Sequence, residues 1–137
     1  MFDVILVSHG PLASAMLASA QLLCGKQERV KTFGLFEGDS VDAFGDQVAA
    51  AIDEGLSRGE VVVLTDLMLG SPFNVTCLAM NGRDFWHVTG MSLPVVVQML
   101  MDRHSMDAAD AVTSAMEAGS CALVNVNELL FCDPDDE

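Results

Sequence analysis

The feature that most constrains this chain is a pair of short apolar runs that do not alternate with polar residues, Phe2–Ser8 (FDVILVS) and Glu60–Asp66 (EVVVLTD). A strand with one wet face alternates. A continuous β-branched and aliphatic run suits a parallel strand covered on both faces. Parallel strands need crossover connections, and the intervening segments have helical spacing. Leu12, Met16, Leu17, Ala20, Leu23 and Cys24 form one apolar stripe; after a second strand at Val30–Phe36, Val41, Phe44, Val48, Ile52 and Leu56 form another.

The punctuation between these segments fits the same pattern. Pro11 suits a first helical position, Gly25 and Gly59 suit helix stops, and Ser40 can cap the second helix. Ser71-Pro72 reads as a cap and first-turn pair opening a short helix to about Met80. Asp84–Gly90 (DFWHVTG) reads as a fourth strand, Ser92 opens a helix over Leu93–Arg103, and Asp107 opens another ending near Gly119. Cys121–Val126 is expected to be a final strand ahead of an acidic tail at 131–137. The alternation predicts an α/β fold: one domain over residues 1–137, doubly wound on a mainly parallel open sheet with right-handed crossovers and helices on both faces.

Composition excludes several functions. Six Lys and Arg against 20 Asp and Glu give a formal charge of -14, which repels the phosphates of nucleic acid and an anionic membrane surface. The same excess fits attraction of a basic partner protein, or solubility alone. The richest apolar stretches, Val61–Leu69 and Leu93–Met101, fall well short of the ~20 residues that span a bilayer, so no membrane insertion is expected. The start lacks the basic flank and small-residue cleavage site of a signal peptide, and a cytoplasmic location is expected. Cys24, Cys77, Cys121 and Cys132 have no C-x-x-C spacing, which suggests buried or idle reduced thiols rather than a zinc cage or redox pair. No metal or cofactor is implied.

Ligands of open α/β sheets bind beyond the carboxyl ends of the strands, where neighbouring connections diverge. That rule selects His9 after the first strand, Asp66 at the end of the third, and Ser71 at the helix start that follows. A strand order of 2-1-3-4 would make His9 and Asp66 face each other. By position alone, such a histidine fits a loop or capping role as well as a nucleophilic one. A carboxylate contact would fix its tautomer and leave the other nitrogen free to accept a phosphoryl group. Helix-start amides after His9 and around Ser71 would then meet the added negative charge. Gly10 suits a tight exit from the strand. His87 and His104 read as structural or surface residues, Met80, Met91, Met99, Met101 and Met116 as core filling, and Trp86 as core or dimer packing.

Three segments carry a family resemblance: Ser8-His9-Gly10-Pro11-Leu12-Ala13; Val62-Val63-Leu64-Thr65-Asp66-Leu67 leading into Gly70-Ser71-Pro72-Phe73-Asn74; and Val88-Thr89-Gly90 with Leu93-Pro94. In order and spacing they resemble the signature regions of the enzyme IIA components of the mannose-class sugar phosphotransferase system, over nearly the whole chain. The resemblance implies that His9 is phosphorylated by the histidine phosphocarrier protein and passes the group to a IIB component. It implies Asp66 as the imidazole's carboxylate partner and Ser71 as a phosphate-side donor, with Gly10 and Phe73 completing the phosphate-binding positions. It further implies a homodimer exchanging a C-terminal strand around Cys121–Glu128; many relatives are fused to a IIB domain, and from the length of this chain a free-standing carrier is expected. Many relatives have two glycines where this chain has Leu69-Gly70, and Asn where it has Met91-Ser92. A regulatory protein of the same fold and the phosphotransfer subunit of dihydroxyacetone kinase are the rival readings; Gly-Ser-Pro-Phe-Asn favours the sugar system.

Overall fold

Strand β1 (Asp3–His9) is buried along every residue but its last, a state open only to a central strand with both faces covered. In the computed structural model, which describes residues 1–130, β1 pairs in parallel with β2 (Val30–Leu35) on one side and with β3 (Val61–Thr65) on the other. Strand β4 (Trp86–Thr89) adds in parallel to β3, giving the order β2-β1-β3-β4. This is the expected doubly wound sheet.

Because successive side chains point to opposite faces, each apolar run feeds two cores. Val4, Leu6, Val62 and Leu64 face one layer, made by α1 (Leu12–Cys24), α4 (Leu93–Asp102) and α5 (Ala108–Cys121). Ile5, Val7, Val61 and Val63 face the other, where α2 (Val41–Leu56) and α3 (Ser71–Ala79) pack through Phe44, Val48, Ile52, Val75 and Ala79. The caps expected at Ser40 and Asp107 form: Ser40 Oγ accepts the Ala43 amide at 3.2 Å, and Asp107 Oδ1 accepts the Asp110 amide at 2.9 Å.

Several expectations are corrected. Cys121–Val126 is not a strand: α5 runs through Cys121, residues 122–125 have no regular structure, and α6 (Val126–Leu130) is helical. A strand needs a neighbouring edge for its backbone groups, whereas a helical turn satisfies them internally. Leu123 stands 97% exposed. Met91 and Met99 are core residues, but Met80, Met101 and Met116 are exposed, because they lie on the outer faces of their segments. Trp86 is 44% exposed on the edge strand and not in the core. Cys24 is partly buried, while Cys77 and Cys121 are exposed free thiols. Cys132 and the tail at 131–137 lie outside the described residues.

The amino ends of the strands hold the cations. Arg29 and Arg58 both pair with the buried Asp3, Lys31 and Arg58 with Glu54, and Arg83 with Asp53. Asp3 is pushed up by its burial, yet the two guanidiniums together hold it below the usual carboxylate range. Arg103, just after α4, is 1% exposed. It donates from Nη1 to the carbonyls of Phe2 and Arg29, both at 3.2 Å, and from Nη2 to the Glu28 carbonyl and to Gln27 Oε1 at 2.9 Å. Burial lowers its pKa, and the carbonyl dipoles meet its charge. One side chain thereby ties α4 to the α1–β2 loop and to the start of β1.

Removing that guanidinium orphans buried acceptors. Arg103→Met is expected to lower unfolding stability by about 3 kcal/mol, read as a lower urea midpoint with unchanged slope. Arg103→Lys should recover little of the loss, since an ammonium cannot reproduce the planar fork.

Candidate active site

The strand register pairs Val7 with Thr65, so β1 and β3 end side by side, with His9 on one and Asp66 directly after the other. Asp66 Oδ2 accepts two hydrogen bonds from the same residue: the His9 backbone N–H at 2.8 Å and His9 Nδ1–H at 2.7 Å. Its Oδ1 accepts the Leu67 amide at 3.0 Å. The Asp66 side chain is 6% exposed and that of His9 49%. Burial pushes the Asp66 carboxyl up, but the His9 amide, the imidazole and the Leu67 amide outweigh it and hold the group below the usual range. An ionised carboxylate can only accept, so Nδ1 carries a proton, and in the neutral imidazole Nε2 keeps its lone pair.

Nε2 is directed at Gly70. A Cβ placed on Gly70 would lie 2.6 Å from Nε2 and 2.9 Å from Cε1, and Gly70 has φ +85°. Both observations call for glycine. They also explain why Ser71, expected as the cap, is the first residue inside α3 with Gly70 as its N-cap: a side chain at the cap position would collide with the imidazole. The amides of Ser71 and Phe73 fall in the first turn, where no intrahelical acceptor exists, and Pro72 has none to offer. The start of this nine-residue helix therefore presents N–H groups and the positive end of its dipole beside Nε2. The Phe73 ring is turned toward His87, with centroids 5.3 Å apart, so only its main chain can serve an anion.

At the start of α1, Gly10 has φ +55° and its amide donates to the Leu35 carbonyl at 2.7 Å, so it supplies the turn and its N–H is already used. Ser8 Oγ accepts the Ala13 amide at 2.8 Å, leaving Leu12 and Ser14 as the open amides of that first turn. The expected site residues include neither Gly70, though it stands in the second family segment, nor Gly34. A Cβ on Gly34 would stand 2.1 Å from the Gly10 carbonyl oxygen, a closeness visible only once β2 lies beside β1. The one local signal for Gly70 was its place between a strand-end carboxylate and a Ser-Pro helix start.

Leu69 is 70% exposed and joins Phe36, Leu67 and Met68 on the connections, and Leu12 at the start of α1, as exposed apolar residues at this end of the sheet. Met91 is buried, and its amide donates to the Thr65 carbonyl at 3.0 Å. His104 lies elsewhere, in a cleft with Met1, Lys26, Gln27 and Glu28. Among the described residues no group of three or more His, Cys, Asp or Glu side chains is arranged to hold a metal ion, and no helix is long and apolar enough to cross a membrane.

Comparison of the whole chain with known proteins gives its family. The family model described as PTS system fructose IIA component matches residues 3–116. The chain belongs to this family, the mannose-class IIA components of the sugar phosphotransferase system. It is 30% identical to the sorbose-specific EIIA component of Klebsiella pneumoniae, over 80% of this chain and 81% of that protein. It is 26% identical to the mannose-specific EIIAB component of Escherichia coli strain K12 over 85% of this chain, which spans only 36% of that longer protein. The crystal structure of the PTS IIA protein associated with the fucose utilization operon of Streptococcus pneumoniae superposes with a TM-score of 0.81 at 32% identity, covering 94% of this chain and 97% of that one. IIA components are parts of a phosphotransferase, which gives this chain a general transferase role.

Two outcomes follow from this geometry. Asp66→Asn should cost about 1 kcal/mol at pH 7, a modest figure because His9 is half exposed. The native carboxyl has a depressed pKa, so its stabilisation is present above the unfolded value of about 3.9 and is lost as pH falls through the native value. Urea unfolding of wild type and variant should therefore differ at pH 7, and the difference should shrink progressively as pH is taken down below about 3.9. Gly70→Ala should lose about 1–2 kcal/mol from the positive φ and the ring collision. It should also slow carbethoxylation of His9 relative to His104, read by peptide mass mapping.

Proposed function

We propose that this chain is a cytoplasmic phosphocarrier, accepting a phosphoryl group on His9 Nε2 from the histidine phosphocarrier protein and passing it to a IIB component for sugar uptake. The observation that carries the reading is the Asp66 contact at Nδ1, 2.7 Å, which leaves Nε2 unprotonated and directed at the start of α3. In the forward step the Nε2 lone pair attacks phosphorus, the donor's P–N bond breaks, and its electron pair returns to the donor imidazole. The ring charge created on His9 is held by the Asp66 carboxylate, and the Nδ1 proton stays in place. The phosphoryl oxygens face the Ser71 and Phe73 amides, the Ser71 hydroxyl, and the open first-turn amides of α1, with Gly10 shaping the turn beneath them. Transfer to the acceptor reverses these roles. Positioning and charge stabilisation account for the catalysis, so no metal is required of this chain.

The charge distribution supports a basic partner. The paired Arg29, Lys31, Arg58 and Arg83 lie at the amino ends of the strands, opposite His9, so the cations that neutralise the phosphoryl group in flight come from donor and acceptor. The carrier acts as a homodimer. Supporting this are the exposed Leu123, Val124, Val126 and Leu129, together with an apolar cleft of about 540 Å³ lined by Val88, Pro94, Val95, Ala115, Met116 and Leu123 beside the edge strand.

The test incubates purified protein with phosphoenolpyruvate, enzyme I and the histidine phosphocarrier, and reads intact mass under denaturing and native conditions. One acid-labile phosphate on wild type, absent from His9→Ala and carried on a dimer, is the expected result. No adduct, or an adduct that survives in His9→Ala, overturns the assignment; an adduct on a monomer overturns the dimer.

A further inference from the structure

His87, set aside on sequence grounds, lies on the inner face of β4 over the same layer that holds α3. Its register partner is Val63, so it points to the side of the sheet that Thr65 also faces. There its imidazole reaches two segments at once. Nε2 is 2.9 Å from Thr65 Oγ1, on the residue directly before Asp66. The ring packs against Phe73 at 5.3 Å, with planes tilted by 43°, and Nδ1 is 3.9 Å from Cys77 Sγ; both partners belong to α3.

We propose that His87 is a positioning residue for the His9 site: one imidazole ties the end of β3 to the first two turns of α3, and so fixes how Asp66 and the α3 amides stand around His9. The loop between those anchors, Asp66–Gly70, carries the carboxylate, the exposed Leu67, Met68 and Leu69, and the glycine against Nε2, and it has few internal restraints. Its ends decide its shape. Thr65 is fully buried, so its hydroxyl needs a partner inside the protein, and His87 Nε2 is the one within reach. Leucine at 87 would fill similar space, orphan that hydroxyl and lose the polar link to α3, freeing the strand end and the helix start to move separately. Misplacing reacting groups by a fraction of an ångström is costly for a step whose catalysis is chiefly positional. Burial lowers the His87 pKa, so the ring bridges the two segments in its neutral form.

Functionally the inference rests on the phosphocarrier reading, and the experiment separates the two. Wild type, His87→Leu, His87→Gln and Thr65→Val would be compared by long-range 1H–15N spectra of the His9 ring, by phosphoryl transfer from the phosphorylated histidine phosphocarrier over a range of its concentration, and by urea unfolding. In His87→Leu, kcat should fall about tenfold with KM within about twofold, and the His9 Nδ1–H resonance should move away from its position in wild type. His87→Gln, whose amide can meet the Thr65 hydroxyl, should recover kcat to within about threefold of wild type. Thr65→Val, which cuts the same link from the other side, should reproduce the His9 shift even if His87→Leu fails to fold. A folded His87→Leu with wild-type kcat and His9 spectrum overturns the proposal, as does Thr65→Val with an unchanged His9 spectrum, or equal impairment of the Leu and Gln variants. If wild type accepts no phosphate, the carrier reading falls, while the His9 spectra still decide the positioning role.

Discussion

Burying β1 and β3 on both faces is the constraint around which the rest of the molecule is arranged. Neither strand can hold a polar side chain facing the cores without a partner, so charge is driven to the two ends. At the amino end Asp3 meets two guanidiniums and Arg103 gathers carbonyl groups. At the carboxyl end, where connections leave toward opposite layers, Asp66 meets His9. The same packing that makes the sheet stable leaves the carboxyl end furnished with backbone amides and one carboxylate, and places the basic side chains far from it.

The Asp66 carboxylate has a structural and a chemical part that cannot be separated. By accepting the His9 backbone amide it closes the gap between two strand ends; by accepting Nδ1–H from the same residue it selects the tautomer. Gly70 completes the arrangement from the other side, since its missing Cβ lets the backbone at the helix start stand against Nε2. A carboxylate behind the ring and a helix dipole before it suit a nitrogen that becomes cationic as its substituent brings negative charge. Leu67, Met68 and Leu69 leave exposed apolar surface beside this site.

Much of the fold could be read from residue patterns because its determinants are local or periodic. Non-alternating apolar runs imply two covered faces; Ser40 and Asp107 announce helix starts; Gly25 marks a stop. The expected C-terminal strand failed for a physical reason of the opposite kind. Strand and helix tendencies in Cys121–Leu130 are close enough that the presence or absence of a neighbouring edge decides between them, and periodicity carries no information about neighbours. Exposed Met101 and Met116 failed likewise, since helical spacing says that side chains share a face and not what covers it.

The sequence by itself determined the α/β class, the positions of most elements, and the pairing of a strand-end histidine with a strand-end carboxylate, because each follows from pattern and a topological rule. Only the tertiary structure decided which ring nitrogen is free, that glycine is required at 34 and 70, that Gly10 and Ala13 have already used their amides, and that His87 lies against both Thr65 and α3. Those facts depend on distances of two to four ångströms between residues 10 to 61 positions apart, or on hydrogen bonds that close a single turn. Separations of that kind are set by how the layers pack and are not written in any local stretch of residues.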